Sequence, residues 1–383
     1  MTAYGCRVTD GAAAAADRPP VSFEAVDALV DWELASRTAT RLVRPGPQVS
    51  RDEAREAVEQ LRAFATESTG HVTATTGLHA PAGEGVLVVD RGGWATANID
   101  AFRTLLAPAV ARAAERRDRQ PGPVAAAIGS RVTGAEVGSL LAFLASRVLG
   151  QYDVFGEPES TGDTVDGQAA GRLLLVAPNV LTVERELDVD PRDFRMWVCL
   201  HEETHRVQFM ANPWLRGHMV DRSRALVEDL LGEPGAVVDR LTAALRHLPD
   251  LLRNGEGTGL IELVQTPEQR RALAELTAVM SLLEGHADVV MDDVGPQVVP
   301  SVAEIRRKFT RRRAGRGALD QLLRRLLGLE AKMRQYADGA VFVRAAVDKV
   351  GMEGFNAVWT SAETLPAPEE IADPAAWVRR VHG

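Results

Sequence analysis

Cysteine is nearly absent: Cys6 and Cys199 are the only two in 383 residues. A fold stapled by disulfides is excluded, and a reducing cytoplasm is the expected compartment. No apolar run approaches the ~18–20 residues needed to span a bilayer. The most apolar helical stretch, around Leu140 to Leu149, is interrupted by Ser146 and Arg147. The N-terminus lacks a basic start followed by an apolar core. Ala12 to Ala16 is a short alanine run followed by Asp17, Arg18 and two prolines, so no secretory signal and no membrane association are expected. Positive charge is not in surplus either. A net charge of -9 has the wrong sign for general nucleic-acid binding, although it leaves room for a local basic patch. There is no glycine-rich phosphate loop, no GxSxG elbow and no evident internal repeat.

What is present suits a large globular protein. The chain is 45% hydrophobic and 25% charged, ample for a core built as one domain or as two intimate lobes. Residues 1–20 read as a flexible tail. Residues 21–383 read as the folded part, with the helix over 191–211 between any two lobes. A helix is expected over 22–44, broken by Pro45, Gly46 and Pro47. Ser50 and Glu53 form a capping-box pattern that opens a helix to about Thr66. Val86 to Val89 is short and β-branched, as a strand should be. Helices follow near 97–116 and 134–149. Gly134 and Gly138 share a face of the second and permit close helix contact within an ordinary core. Residues 155–170 are loop-like, and Arg172 to Ala177 reads as a buried strand. The expected class is mainly α with a few short strands.

One segment carries chemistry. Asp190 is a good N-cap, Pro191 fits the first helical position, and Asn212-Pro213 supplies a stop. Within this helix lies His201-Glu202-Glu203-Thr204-His205. Histidines at i and i+4 project from one face, so both imidazoles can reach one metal ion. Glu202 can then reach a metal-bound water without being a ligand. A second helix opens at Thr266-Pro267-Glu268-Gln269, another capping box, and runs towards Gly295-Pro296. Leu273, Thr277, Met280, Glu284 and Asp288 form one stripe along it. Two carboxylates continuing a largely apolar stripe need a partner. Glu284 is the candidate third ligand, and Asp288 the candidate acceptor for the free N–H of His201. Their other reading is an exposed helix end. His286 is a rival ligand that points away from Glu284 but could line the cleft. Cys199 reads as a small buried hydrophobe, with a ligand role as the alternative.

The pattern His201-Glu202-x-x-His205 followed by Glu284-x-x-x-Asp288 resembles the gluzincin branch of the zincin metallopeptidases. The separation of 284 − 205 = 79 residues is longer than in the best-known secreted members. More closely, the chain resembles a family of bacterial zincin-like proteins described as zinc-dependent metalloproteases or hydrolases. One branch of that family is associated with deazaflavin-coenzyme biosynthesis. The resemblance runs through Val30-Asp31-Trp32, Val148 to Asp153, His201 to Phe209, Leu282 to Asp288, Pro300-Ser301 and Gln335-Tyr336. It implies a mainly helical zincin-like fold and supplies no substrate.

Three protein ligands leave a fourth position for water, the arrangement of a catalytic zinc site. Glu202 would be the general base, and Tyr336, His218 and His286 are candidates to stabilise an oxyanion, Tyr336 first because the resemblance extends through it. The expected activity is that of a cytoplasmic zinc peptidase acting on a peptide or protein. The competing readings are a zincin fold that keeps its metal for binding or assembly, and a protein acting on an anionic coenzyme-related ligand. The last rests on the family label and on a basic run, Arg306, Arg307, Lys308, Arg311, Arg312, Arg313 and Arg316. That run reads either as an anion site or, more simply, as a solvated helix face.

Overall fold

The computed structural model describes residues 23–80, 85–115, 123–155, 164–165, 168–169, 171–231, 266–314 and 329–383. The expected tail over 1–20 lies outside them. The architecture is helical with one small sheet, the class that composition and pattern predict.

The described residues open with α1 (Glu24–Leu29) and α2 (Trp32–Leu42) rather than one helix over 22–44. The break falls at Asp31, whose carboxylate accepts from the Leu34 N–H at 2.8 Å and starts a new helix. The helix opened by Ser50, α3 (Arg51–Thr76), runs ten residues past its expected end at Thr66 and stops at Gly77, a left-handed cap. Its later turns bury Ser68, Thr69, Val72 and Thr76, so packing holds a polar stretch in helix that local preference would release. Then come β1 (Val86–Val89), α4 (Arg91–Glu115) and α5 (Pro123–Ala145). On α5, Gly134 and Gly138 face the backbone of α2 at Asp31 and Ala35, where a Cβ would collide.

The sheet orders β1, β5 (Arg172–Val176) and β2 (Gly150–Asp153), with β1 parallel and β2 antiparallel to β5. A separate two-residue ladder joins β3 (Thr164–Val165) to β4 (Gln168–Ala169) within the segment expected as loop. Leu173, Leu174, Leu175 and Val176 are fully buried on the central strand, each contributing about 1.5–3 kcal/mol of apolar burial. Thus β5 is the hub and β2 is an edge strand.

Beneath the sheet runs α6 (Ala177–Leu187) and then α7 (Pro191–Met210), where Asp190 accepts from the Asp193 N–H at 2.9 Å. Nearly every side chain of α7 is buried. Its polar positions are therefore paired. Arg195 grips Glu184 through Nε and Nη2, at 3.0 and 2.7 Å. Glu203 accepts from Arg206 and, at 2.6 Å, from the Thr69 hydroxyl of α3. Next follow α8 (Pro213–Leu231), α9 (Pro267–Val294), α10 (Val302–Ala314), α11 (Leu329–Phe355), α12 (Pro368–Ala372) and α13 (Pro374–His382). The capping box of α9 forms as expected, with Thr266 and Gln269 bonding reciprocally. Gly285 of α9 and Gly339 of α11 lie against each other's helix so closely that either Cβ would overlap backbone. Among the described residues, no helix is long and apolar enough to cross a membrane.

Candidate metal centre

Helix α7 supplies two imidazoles and α9 one carboxylate. Nε2 of His201 lies 3.5 Å from Glu284 Oε2, and Nε2 of His205 lies 3.7 Å from Oε1. The two Nε2 atoms are 3.3 Å apart. One ligand atom from each of the three residues falls within 4.8 Å of the others. The donor set therefore converges on one point. Two neutral nitrogens and a carboxylate oxygen are ligands that zinc accepts in an open catalytic site, so the residues fit the ion.

The hydrogen bonds behind the ligands fix their protons. Gln208 donates from Nε2 to the Leu283 carbonyl at 3.0 Å, and a carbonyl can only accept, so the amide orientation is set. Its Oε1 then faces His205 Nδ1 at 3.0 Å. His205 must carry its hydrogen on Nδ1, which leaves the Nε2 lone pair for a metal. The same amide donates to Nδ1 of His286 at 2.9 Å. His286 is fully buried, stacked on Phe355 and edge-on to Trp359. Burial, helped by nearby His205, pushes its pKa down to about 3, so it stays neutral. His286 is thus a core residue behind the centre, and it does not line the cleft.

Glu202 is buried on the same helix, beside the edge strand. A Cβ on Gly150 of β2 would stand 2.5 Å from the Glu202 carboxyl carbon. Only glycine leaves room for this side chain. Burial pushes the Glu202 carboxyl up to about 7, against the pull of His201. For His201, burial disfavours the charge, but the hydrogen bond and charge of Glu284 outweigh it and raise the pKa to about 9. Burial lowers that of His205. Burial thus makes Glu202 a better proton acceptor than an exposed carboxylate, the direction a general base requires.

Asp288 is placed differently from expectation. Nδ1 of His201 faces Met291 Sδ at 3.2 Å, while the Asp288 carboxylate is half exposed and 3.7 Å from Arg306 Nη2. Arg306 also donates to the Asp288 carbonyl and pairs with Asp292. The acceptor on this face of the centre is therefore turned towards α10. His218 lies on α8 in a second hollow of about 270 Å3, with Arg222 and Glu363, and not in the metal cleft. Tyr336 belongs to α11, but its side chain lies outside the described residues. Cys199 is fully buried and its thiol donates to the Leu61 carbonyl at 3.5 Å, a core residue.

Most of the described basic run is engaged. Lys308 donates to the Asp188 carbonyl and pairs with Glu304, and Arg312 pairs with Glu186. With Arg306 on Asp288 and Asp292, these residues fasten α10 to α6 and α9, leaving Arg307 and Arg311 exposed. Arg313 and Arg316 lie outside the described side chains. Gly150 and Gln208 are the two positions that sequence reasoning passed over. Gln208 stands three residues after His205 on the same stripe, which is the signal that would have found it.

An HExxH helix with a glutamate from a later helix, packed under a small sheet with an antiparallel edge strand, is the arrangement of a zincin. The chain belongs to the zincin-like metallopeptidase family, whose model matches residues 30–378. It is similar to a protein of known structure from Chloroflexus aurantiacus, described as a candidate hydrolase with a novel fold. The two share 31% sequence identity at a TM-score of 0.63, over 92% of this chain and 98% of that one. No curated protein matches the chain. Family and neighbour together support a metallohydrolase.

Proposed function

We propose that this protein is a zinc-dependent peptidase of the cytoplasm. The observation that carries the reading is the convergence of His201, His205 and Glu284 with Glu202 beside them, against the open edge of β2. Among the described residues β2 pairs with β5 alone. Main-chain pairing with an edge strand of this kind is the simplest way to hold an extended peptide of any sequence. Because Gly150 of that strand touches Glu202, a peptide added there brings a carbonyl next to the buried carboxylate.

His201, His205 and Glu284 would hold the zinc. Bound there, zinc supplies Lewis acidity, lowering the pKa of a water and polarising a carbonyl. Glu202 accepts the proton as the water attacks and delivers it to the departing amine. Gln208 keeps His205 in the ligating tautomer throughout. Burial raises the proton affinity of the Glu202 carboxyl above that of an exposed glutamate, which favours its taking up a proton.

Elemental analysis of protein purified without chelators tests the metal. About one zinc per chain in the wild type, lost in His205→Ala and in Glu284→Ala, is the expected result. A peptide library then tests the reaction. Glu202→Gln should keep its zinc and lose about 10²–10⁴-fold in rate. A wild-type protein that holds zinc but cleaves nothing would instead favour a role in binding or assembly.

A further inference from the structure

The metal centre opens into a cleft of about 580 Å3. Its charged lining residues, among those described, are His201, Glu202, His205 and Glu284. All four are committed to the metal and to proton transfer. The rest of the wall is mostly apolar, with Phe209, Met219, Leu273, Leu276, Met280 and Leu283 from α7, α8 and α9, and its other polar side chains, Gln151, Tyr152, Ser223 and Thr277, carry no charge. Three of these, Leu273, Leu276 and Met280, are partly exposed, as residues facing a cleft are. Leu273 and Met280 belong to the stripe of α9 that continues into Glu284, and Leu276 lines the cleft beside them.

We infer that this cleft receives one large apolar side chain of the substrate, on a residue flanking the scissile bond. This rests on the peptidase reading. The argument is one of solvation. A side chain entering the cleft exchanges water for thioethers, isobutyl groups and an aromatic ring. A phenylalanine or leucine gains from that exchange, whereas an ammonium or carboxylate loses its hydration and meets no counter-charge that is free. The volume, that of a small-molecule site, leaves room for a bulky side chain together with the main chain that carries it. Methionine at 219 and 280 gives walls that adjust to the shape of the occupant, so selection should act on polarity more than on outline. The edge position of β2, which lacks a second strand partner among the described residues, suits sequence-independent attachment of the main chain.

The test uses zinc-loaded wild-type protein and a series of N-acetyl amino-acid hydroxamates, which bind zinc through the hydroxamate and differ only in side chain. Calorimetric titration should rank phenylalanine and leucine about 10–100-fold tighter than glycine, glutamate or lysine. The variants Leu276→Asp and Met280→Glu should abolish that ranking while zinc content stays at the wild-type level. Equal affinities across the wild-type series, within about twofold, would overturn the inference and leave the zinc reading standing. Failure of every hydroxamate to bind the zinc-loaded protein would mean that its metal is closed to ligands, and would remove the peptidase reading and this inference with it. The wild-type series decides the matter even if a variant does not fold.

Discussion

Gln208 carries no charge and touches neither ligand-binding atom, yet it joins the two halves of the centre. Its oxygen holds His205 in a part-buried bond, and its nitrogen holds the Leu283 carbonyl next to Glu284 in a buried one. Gln208→Leu should weaken zinc binding about 10–100-fold in a chelator competition, the usual effect of removing a group that orients a ligand. Wild-type affinity in that variant would show that packing alone orients His205. Gly150→Ala makes the opposite kind of change. Its Cβ pushes on Glu202 rather than on a ligand, so peptide hydrolysis should fall at least tenfold with one zinc still bound. His201, Glu202 and His205 were legible in the sequence because helical spacing alone brings them together. Asp288 was legible only in part. Its stripe was visible, but its partner Arg306 comes from another helix, and no local pattern reveals that. Gln208 was hidden by its chemistry, since an amide has no metal signature of its own.

Elements show the same division between local and distant causes. Helices α7 and α9 were readable to within a residue or so because caps and breakers are written beside them. The strand β2 was not, because Gly150-Gln151-Tyr152-Asp153 has no β-branched residue and becomes a strand only by pairing with β5. The contact between α9 and α11 depends on two glycines 339 − 285 = 54 residues apart. Gly339→Val should destabilise the protein by about 1–3 kcal/mol or more in urea unfolding, since its side chain would displace the Ser281 backbone. It should also cost zinc affinity, because Glu284 moves with α9. At the C-terminus, Arg380 grips Glu370 through Nε and Nη2, both at 2.7 Å, and also donates to the Glu363 and Leu365 carbonyls. This guanidinium holds the Glu370 carboxyl below the usual range. A depressed folded-state pKa means that the clasp's contribution is complete above the unfolded value of about 4.3 and is lost as pH falls through the folded one. Arg380→Ala should therefore lower stability near pH 7 and flatten its acid dependence. An unchanged slope below pH 5 would show that Glu370 does not report on the clasp.

For the whole molecule, the centre is a joint as well as a reaction site. Zinc that binds the folded state and not the unfolded one stabilises it by about 4 kcal/mol when present at 1,000 times its Kd. Stripping the metal with a chelator should lower Tm by several degrees, and adding zinc back should restore it. Equal Tm values with and without metal would mean that zinc does not bind the folded state in preference to the unfolded one, and would sink the metal reading. The helical class and the candidate ligands were available from the sequence, whereas the cleft between α7, α8 and α9 was not. It exists only once three separate helices have met.

The ligands' order along the chain has a consequence for synthesis. His201 and His205 leave the ribosome first, and Glu284 follows 79 residues later, a delay of about 4–16 s at ordinary translation speed. The helix carrying Glu284 must then wait for α11, whose Gly339 seats it. A nascent chain thus exposes its histidines well before the carboxylate that completes the metal site is in place.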